Sequence, residues 1–551
     1  MEQLIIGIDT GGTCTDAVLF DRSSQQVIDT AKVATTHHNL SEGISNAIQQ
    51  LMAKSLVSPS RIQAVSVSTT LATNSVVENK GARVGLFVIG YVKHFKLPVT
   101  AVFYLKGGHT IQGAEEEPLE LDYLVDTLRQ IGKEVDSYAL CSAMSMHNPT
   151  HELVAEKAIS MIDPKPVFCS HRASQQAGMR ERAATAALHA KLMPGMNRFI
   201  ENMGESLTDL EFSCPVSIVT GDGNTMSPEN AADESGRTAA SGPACTAVFG
   251  AQHCGNACLV IDVGGTTTDI ALVEDGVPVL SDEGCSIGSW TTHIPSIDMH
   301  TGGVGGDSLV TIRKDRSISI GPGRVTPLAM SPETAALESW LGLESAARRY
   351  TLVSRDVASE SKAIDYIKQH GSASSEQLAD ALSLSTMHLE RQLEPLLKQS
   401  LLMETGFTPT DALHAMGLAT FGNQAKAVEG AEILAGQSGS SVEEFCSNVM
   451  GNVEDMIVHL ILEYVMRRTW SDSMTNFLST CRSHPLIQTH FSLRIPLVGI
   501  GAAAPFFLPA VAEKLATTVT FPQFCEVGNA VGAALCFSSS GQSPGSGTPP
   551  A

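Results

Sequence analysis

A chain of 551 residues is too long for one ordinary hydrophobic core and predicts two to four domains. Apolar residues make up 43% and charged residues 17%, the balance of a folded α/β-rich protein and not of a disordered chain. With 36 Lys+Arg against 58 Asp+Glu, the formal charge of −22 sets up a field that repels phosphate backbones and anionic membranes, which disfavours nucleic acid as the main partner and leaves room only for a local patch to bind it. No stretch approaches the roughly 18 uninterrupted apolar residues of a spanning helix, so no membrane role is expected. The 12 cysteines lack regular spacing, and the start MEQLIIGIDT has neither a basic n-region nor an apolar h-region; reduced thiols and a cytoplasmic location are expected.

In chain order, the first predicted element is a strand, a tight turn and a second strand. An apolar run at Leu4, Ile5 and Ile6 leads to Asp9, the Gly11-Gly12 turn, Thr13, Cys14, Thr15 and Asp16, and a second apolar run follows. Helical spacing covers 41–56 and 119–131, while 64–68, 84–90 and 138–144 read as short buried strands, the alternation of an α/β domain. Pro149 closes a loop before a helix over 150–162, with Thr150 as its N-cap. A long helical run starts near Met179; Pro194 is expected to end or kink it, and the run to carry the chain from a first domain into a second.

At 261–272 the hairpin returns. IDVGGTTTDIAL matches IDTGGTCTDAVL of 8–19 at eight of twelve positions, with an offset of 253. Two such hairpins half a chain apart predict two related α/β domains with equivalent loops across a shared cleft. Residues 360–403 hold three helical stretches, with Gly371 as the first stop and Ser374 or Ser375 as an N-cap, the pattern of a winged-helix-like insert. From Arg355 to Met403 there are five Lys/Arg against seven Asp/Glu, so packing or partner contact is expected there and not DNA reading. The Ser/Gly/Pro-rich end from Ser538 reads as a disordered tail. The expected divisions are 1–180 for the first domain, 181–354 and 405–537 for the second, 355–404 for the insert and 538–551 for the tail.

A polyphosphate needs backbone N–H donors, small residues that leave them open, and a carboxylate to hold hydrated Mg²⁺. Asp9, Gly11, Gly12, Thr13 and Thr15 supply that set, and Asp262, Gly264, Gly265, Thr266 and Thr267 supply it again. The glycines are expected to allow close approach and positive φ. Asp16 and Asp269 follow the two turns, where either orients metal-bound water or the attacking oxygen, or simply bonds turn N–H groups.

The paired DxGGTxTD loops resemble the phosphate-1 and phosphate-2 loops of the actin, sugar kinase and Hsp70 ATPase superfamily. That resemblance implies two RNase H-like domains around a nucleotide cleft, with ATP and Mg²⁺ bound and Asp9 and Asp262 holding the metal through water. The superfamily's adenosine loop is matched by Gly499, Gly501 and Ala502 behind an apolar strand. More narrowly, the chain is similar to the hydantoinase/oxoprolinase family and its hydantoinase A subunit, through STTLATNSVVENKGARVGLF (68–87), HNPTHE (147–152), MRERAATAALHAKLMP (179–194), DGNTMSPENAADESGRTAASGPA (222–244), DMHTGGVGGDS (298–308), TPTDALHAMG (408–417) and EVGNAVGAAL (526–535). The resemblance implies ATP-dependent phosphorylation of a cyclic amide carbonyl followed by hydrolysis, in an oligomer with a hydantoinase B-like subunit or with further copies of the chain. An ATP-driven conformational regulator, a small-molecule kinase and a carboxylase-type activating subunit are the alternatives from the same superfamily. The sequence departs from the family pattern at Val67-Ser68-Thr69-Thr70, where a histidine is missing, and at Asp307, where glycine is usual.

Other residues offer sharper and blander readings. Asp298, His300 and Asp307 in a Gly-rich stretch suit a substrate site or a second divalent metal, or a solvated loop. His147, His151 and Glu152 read as a helix entry in preference to a metal pair. Gly107-Gly108-His109 reads as a mobile loop or a substrate lid. Arg180 and Arg182 suit an anionic substrate or ion pairs with nearby acids. Cys254 and Cys258 lack a second ligand pair for zinc, and Cys14 reads as a tolerated small side chain.

Overall fold

The computed structural model describes residues 3–12, 14–35, 40–77, 81–90, 93–288, 290–332, 335–342, 347–354, 361–398, 401–467, 469, 477, 486 and 489–539. The chain divides into two compact units: Met1–Asn256 with Ala271–Asp298 and Val527–Ala551, and Ala257–Ile270 with Met299–Glu526.

The first unit is built on a six-stranded sheet, in the order Thr225–Met226, Val216–Val219, Ile62–Thr69, Leu4–Thr10, Cys14–Asp21, Gln26–Ala34. Leu4–Thr10 runs antiparallel to Cys14–Asp21 and parallel to Ile62–Thr69. Every residue of Leu4–Thr10 is buried, so the strand reads as a continuous apolar run because both faces of the sheet are covered. On one face, Ile44, Ala47, Ile48 and Leu51 of the helix Leu40–Ser55 pack with Met196, Phe199 and Met203. On the other, Cys245 of the helix Ser241–Ala251 and Ala533 of the helix Gly528–Ser539 share a core with Val219. These two helices cross backbone to backbone: a Cβ on Gly532 would collide with the Cys245 carbonyl, and one on Gly7 with the Ala530 carbonyl. The small residues of EVGNAVGAAL are therefore set by close approach.

A second sheet of this unit is wholly parallel, in the order Ala101–Leu105, Val84–Ile89, Ser137–Ser142, Val167–Cys169. The helices Leu121–Ile131 and Thr150–Ile162 close its core through Leu124, Leu128, Ala155 and Ile159. The helix Met179–Asp209 packs on Ser137–Ser142 and also on Leu40–Ser55, joining the two sheets.

In the second unit, Ala257–Val263, Leu497–Ile500 and Val519–Thr520 run parallel. The helices Pro409–Ala415, Gln424–Ser438 and Val442–Met466 bury Ala412, Leu434, Phe445 and Val449 against the hairpin Ser308–Ile312/Ile318–Arg324. Within this unit, Tyr350, Ile364, Ile367, Leu378, Leu389 and Leu393 form a separate small core. It contains the three helices expected in the insert, Lys362–His370, Ser375–Leu382 and Thr386–Lys398, on strands Arg349–Leu352 and Leu402–Gly406. Gly371 ends the first helix at φ 81°, and Ser374 caps the second in a capping box with Gln377.

Four expectations change. Of the two effects expected of Pro194, ending the helix is excluded, because it lies inside Met179–Asp209, and that helix stays within the first unit. The division falls at 256 and not at 180, and the C-terminal helix, expected in the second domain, packs with the first unit. That helix runs through Ser539, past the predicted start of the tail; 540–551 lie outside the described residues. Thr150 starts its helix but does not cap it: Pro149 occupies the N-cap position, and Asn148 Oδ1 accepts from the Thr150 N–H at 3.1 Å. Among the described residues, no helix is long and apolar enough to cross a membrane.

Candidate functional site

The two repeated turns close alike. Gly11 N–H donates to the Cys14 carbonyl at 3.0 Å, and Gly264 N–H donates to the Thr267 carbonyl at 3.0 Å. Those two amides, expected as phosphate donors, are thus used within the turns, whereas Gly12 and Gly265 make no such closing bond among the described residues. None of the four glycines adopts positive φ; they serve through size alone, and a Cβ on Gly12 would meet nothing within 4 Å. Thr13 lies outside the described residues.

In the first turn Asp9 stands opposite Asp16, and Thr10 opposite Thr15, at the ends of paired strands. Asp9 is buried, with Asn529 Nδ2 3.4 Å from its Oδ2. Thr70 donates its N–H and Oγ1 to the Thr10 carbonyl at 3.1 and 2.9 Å, so the segment that departs from the family pattern braces the back of the turn. The Thr15 hydroxyl, expected on a phosphate, is buried and lies 3.3 Å from Thr35 Oγ1, which donates to the Gly11 carbonyl at 2.9 Å. Asp16 is held by Lys32 Nζ at 2.6 and 2.8 Å. Burial pulls the Lys32 ammonium down, but Asp16 more than offsets this and holds it above its ordinary value. A carboxylate so neutralised is a poor base.

The second turn has a different neighbour. Thr301 Oγ1 donates to Asp269 Oδ1 at 2.5 Å, in the role that Lys32 has at Asp16. A hydroxyl brings no charge, and burial together with the nearby Asp262 pushes the Asp269 carboxyl up to about 7. Asp262 is approached by Gly501, at φ 92°, where a Cβ would lie 2.5 Å from Asp262 Oδ1. The expected adenosine loop is tied to the phosphate loop by the Ala503 N–H, which donates to the Val263 carbonyl at 3.3 Å. Gly499 packs on the Phe521 ring, and Ala502 is exposed. Gly306 and Asp307 donate their N–H groups to the carbonyls of Gly264 and Gly265 at 3.1 and 2.7 Å. A Cβ on Gly265 would strike the Asp307 carboxylate, whose Oδ2 is 3.6 Å from Arg324 Nη2. Thr266 is exposed and Thr267 half-buried. Two acids converging beside an open glycine turn form a donor set that suits a divalent cation.

The Asp269 shift has a testable sign. An unfolded aspartate titrates near about 3.9, so between roughly pH 4 and 7 the folded chain holds the extra proton and stability falls as pH rises. In metal-free buffer, Asp269→Asn is expected to be more stable than the parent at pH 7.5 and to match it near pH 4, as read by urea unfolding. Asp411, buried and also pushed up to about 7, contributes its slope equally to both proteins.

The remaining predicted residues do not assemble. Asp298 belongs to the first unit and donates its N–H to the Val279 carbonyl at 2.7 Å; His300 belongs to the second, with Nε2 3.9 Å from Glu463 Oε2. Together with Asp307 they form no metal-ligand cluster among the described residues. His109 is buried against the His151 ring at 4.3 Å and is no lid; burial and His151 hold its imidazole below the ordinary value. His151 Nδ1 accepts from the Gly108 N–H at 2.9 Å and Nε2 lies 3.0 Å from Glu115 Oε1, so it does not pair with His147 around a metal. Cys254 and Cys258 join no metal-ligand group among the described residues. Arg180 is exposed.

Arg182 is fully buried in a polar cluster that sequence reasoning missed. Its Nη2 donates to the Ser142 carbonyl and to Ser170 Oγ, each at 2.8 Å, and lies 3.8 Å from Glu152 Oε1. Glu152 accepts from Ser142 N–H at 2.7 Å, Ser170 Oγ at 2.6 Å, and His171 N–H and Nδ1 at 3.0 and 2.6 Å. Burial pushes its carboxyl up, but these bonds outweigh burial and hold it below the usual range. Glu152, Cys169 and His171 have ligand atoms within 4.8 Å of one another. The saturated carboxylate, the adjacent guanidinium and a thiol pushed well up by burial make this a structural cluster and not a metal centre.

Comparison with known proteins follows the same lines. Residues 5–162 match the hydantoinase/oxoprolinase N-terminal region, and residues 182–338 match the hydantoinase/oxoprolinase region. Caprolactamase subunit alpha of Pseudomonas jessenii is 25% identical over 363 residues, 58% of this chain and 50% of that protein. The acetophenone carboxylase gamma subunit of Aromatoleum aromaticum is 25% identical over 365 residues, 58% of this chain and 49% of that protein. The chain thus spans about half the length of the curated relatives it matches. Among solved structures, nucleotide-free acetone carboxylase superposes with a TM-score of 0.69 at 17% identity, over 97% of this chain and 70% of that one. ATP-dependent caprolactamase from Pseudomonas jessenii gives 0.62 at 19% identity, over 96% and 70%. These likenesses show a mixed α/β fold shared with those structures, and the two matched regions, which together cover more than half of the chain, establish that it belongs to the hydantoinase/oxoprolinase family.

Proposed function

We propose that this chain is an ATP-dependent activating subunit that phosphorylates the carbonyl oxygen of a cyclic amide or imide so that water can open the ring. The observation that carries the reading is the duplicated turn: two copies of Asp-x-Gly-Gly-Thr, each with its aspartate at a strand end and its first glycine amide closing the turn at the same 3.0 Å. The three antiparallel strands continued by parallel ones in the first unit support an RNase H-like reading of that sheet. Bound Mg²⁺-ATP supplies the transferable phosphoryl group and neutralises its charge. In the first unit Asp9 and the Gly12 amide, and in the second unit Asp262, the Gly265 amide, Gly501 and Ala502, are the groups that would meet the hydrated cation, the phosphate oxygens and the adenosine. Transfer of the γ-phosphoryl group to the carbonyl oxygen would release ADP; one water would add to the activated carbon, C–N cleavage would open the ring to an acyl phosphate, and a second water would release phosphate and leave the carboxylate.

A second reading is supported by the match to a carboxylase subunit at the same 25% identity: activation of a ketone for carboxylation. Under either reading the chain works beside a further subunit, as the relatives' names as subunits suggest. ATP turnover measured against hydantoins, 5-oxoproline, larger lactams and ketones, with and without bicarbonate, separates them. Stimulation by a lactam without bicarbonate supports the first reading, bicarbonate-dependent stimulation by a ketone supports the second, and no stimulation by any compound in the presence of the partner subunit overturns both.

A further inference from the structure

The second turn carries a polar pair that the nucleotide reading leaves unused. Asp307 stands where glycine is usual, and its carboxylate lies against Gly265 on the side where a Cβ would stand. The backbone fixes it there: the Asp307 N–H donates to the Gly265 carbonyl at 2.7 Å, and the Val325 N–H donates to the Asp307 carbonyl at 3.1 Å. Thr410 holds the preceding residue, donating its N–H and Oγ1 to the Gly306 carbonyl, each at 2.8 Å. Arg324 reaches the same place from the strand Ile318–Arg324, where it stands opposite Ser308, and its Nη2 is 3.6 Å from Asp307 Oδ2. All of these residues belong to the second unit.

A lone carboxylate beside a phosphate turn would repel the phosphate. The guanidinium cancels that charge, so the pair brings to the turn a hydrogen-bond acceptor next to a fork of donors, with no net formal charge. Burial pushes the Asp307 carboxyl up, while Arg324 and Thr410 draw it down. Neither member is sealed, with side-chain exposures of 16% at Asp307 and 36% at Arg324. The backbone beside them is bare. Gly303 is exposed with nothing within 4 Å of where its Cβ would stand, and a Cβ on Gly321, at φ 62° in the strand of Arg324, would stand 3.6 Å from the Gly303 carbonyl oxygen.

We propose that Asp307 and Arg324 form the subsite for the reacting amide: Asp307 accepts from the ring N–H, and Arg324 donates to the adjacent carbonyl oxygen that takes the phosphoryl group. This inference deepens the cyclic-amide reading above and rests on it. A small lactam or imide ring holds its N–H and C=O side by side on one edge, which an acceptor next to a donor matches. A ketone has no N–H and leaves the Asp307 acceptor unpaired, so the pair favours an amide over a ketone. As the carbonyl oxygen takes the phosphoryl group, the nitrogen lone pair moves toward the ring carbon and the N–H grows more acidic. The bond to Asp307 therefore strengthens on the way to the transition state.

The test is calorimetric titration of the full chain without nucleotide, using δ-valerolactam and succinimide, their N-methyl derivatives, and cyclohexanone. The expected result is saturable binding of at least one N–H ring, with its N-methyl derivative and the ketone at least about tenfold weaker. Asp307→Gly should weaken the N–H ring to the level of its N-methyl derivative, whereas Arg324→Gln should weaken both rings by about tenfold or more. A loss of folding alone does not sort the two rings in this way, and the comparison on the parent needs no variant. No binding of either N–H ring, equal binding of the N-methyl derivative, a preference for N–H that survives Asp307→Gly, or undiminished binding in Arg324→Gln would each overturn the proposal. ATP turnover with the same compounds keeps its failure apart from that of the reading it rests on. Stimulation by the N-methyl ring as strong as by the N–H ring overturns the subsite and leaves ATP-dependent activation standing. N–H-selective binding without any stimulation of turnover overturns the activation reading and leaves the amide subsite standing.

Discussion

Asp262→Asn is expected to lower ATP turnover by about 100-fold or more while leaving the unfolding midpoint near that of the parent. The magnitude follows from losing the charge proposed to anchor the metal: several kcal/mol of transition-state stabilisation correspond to two or more powers of ten in rate. Asparagine keeps the shape against Gly501, whose missing Cβ is what allows the carboxylate its place, so the fold is not at issue. The same replacement removes one of the two causes that raise Asp269, so the carboxyl of Asp269 should return toward its ordinary value. NMR titration of that carboxyl in metal-free buffer gives a second readout, independent of turnover. Asp9→Asn should show the rate loss without any change at Asp16, whose charge is matched by Lys32. Full turnover in both variants would sink the assignment of the two turns to the nucleotide.

Arg182→Met is expected to destabilise the protein by about 3–5 kcal/mol, the cost of leaving a buried carboxylate without its cation. Arg182 and Glu152 are 2% and 0% exposed at their side chains, so water cannot substitute for the lost guanidinium. Methionine retains most of the stem volume, which limits the contribution of an empty cavity. Urea unfolding measures the loss. In the double variant with Glu152→Gln the penalty should shrink, because the uncompensated charge is gone, and the cycle isolates the coupling. A loss below about 1 kcal/mol would show that His171 and the two serines hold Glu152 by themselves.

Much of the architecture is legible in the chain. The strand–turn–strand over 4–21 and its return at 257–274, the buried strands at Ile62–Thr69 and Val84–Ile89, and the helices of the insert all follow from periodicity and turn chemistry. Local signals such as Gly371 and the Ser374 capping box are decided within a few residues and so survive folding unchanged. Boundaries that rest on long-range packing do not. Pro194 passes through its helix, and the C-terminal helix joins the first unit because Gly7 and Gly532 let its backbone approach strand and helix.

At the candidate site, the sequence by itself determined that the chain carries two equivalent acidic glycine turns. Eight shared positions in twelve are a property of residue order, and residue order dictates the local hairpin. What only the tertiary structure decided is that the two copies are not chemically equivalent. Asp16 and Asp269 are the same letter in the same repeat, yet one is neutralised by Lys32 from an adjoining strand and the other meets the uncharged hydroxyl of Thr301. The facing side chain comes from another strand, outside the repeated turn itself, and it is the electrostatic neighbour, more than the residue type, that sets whether a carboxyl is ionised.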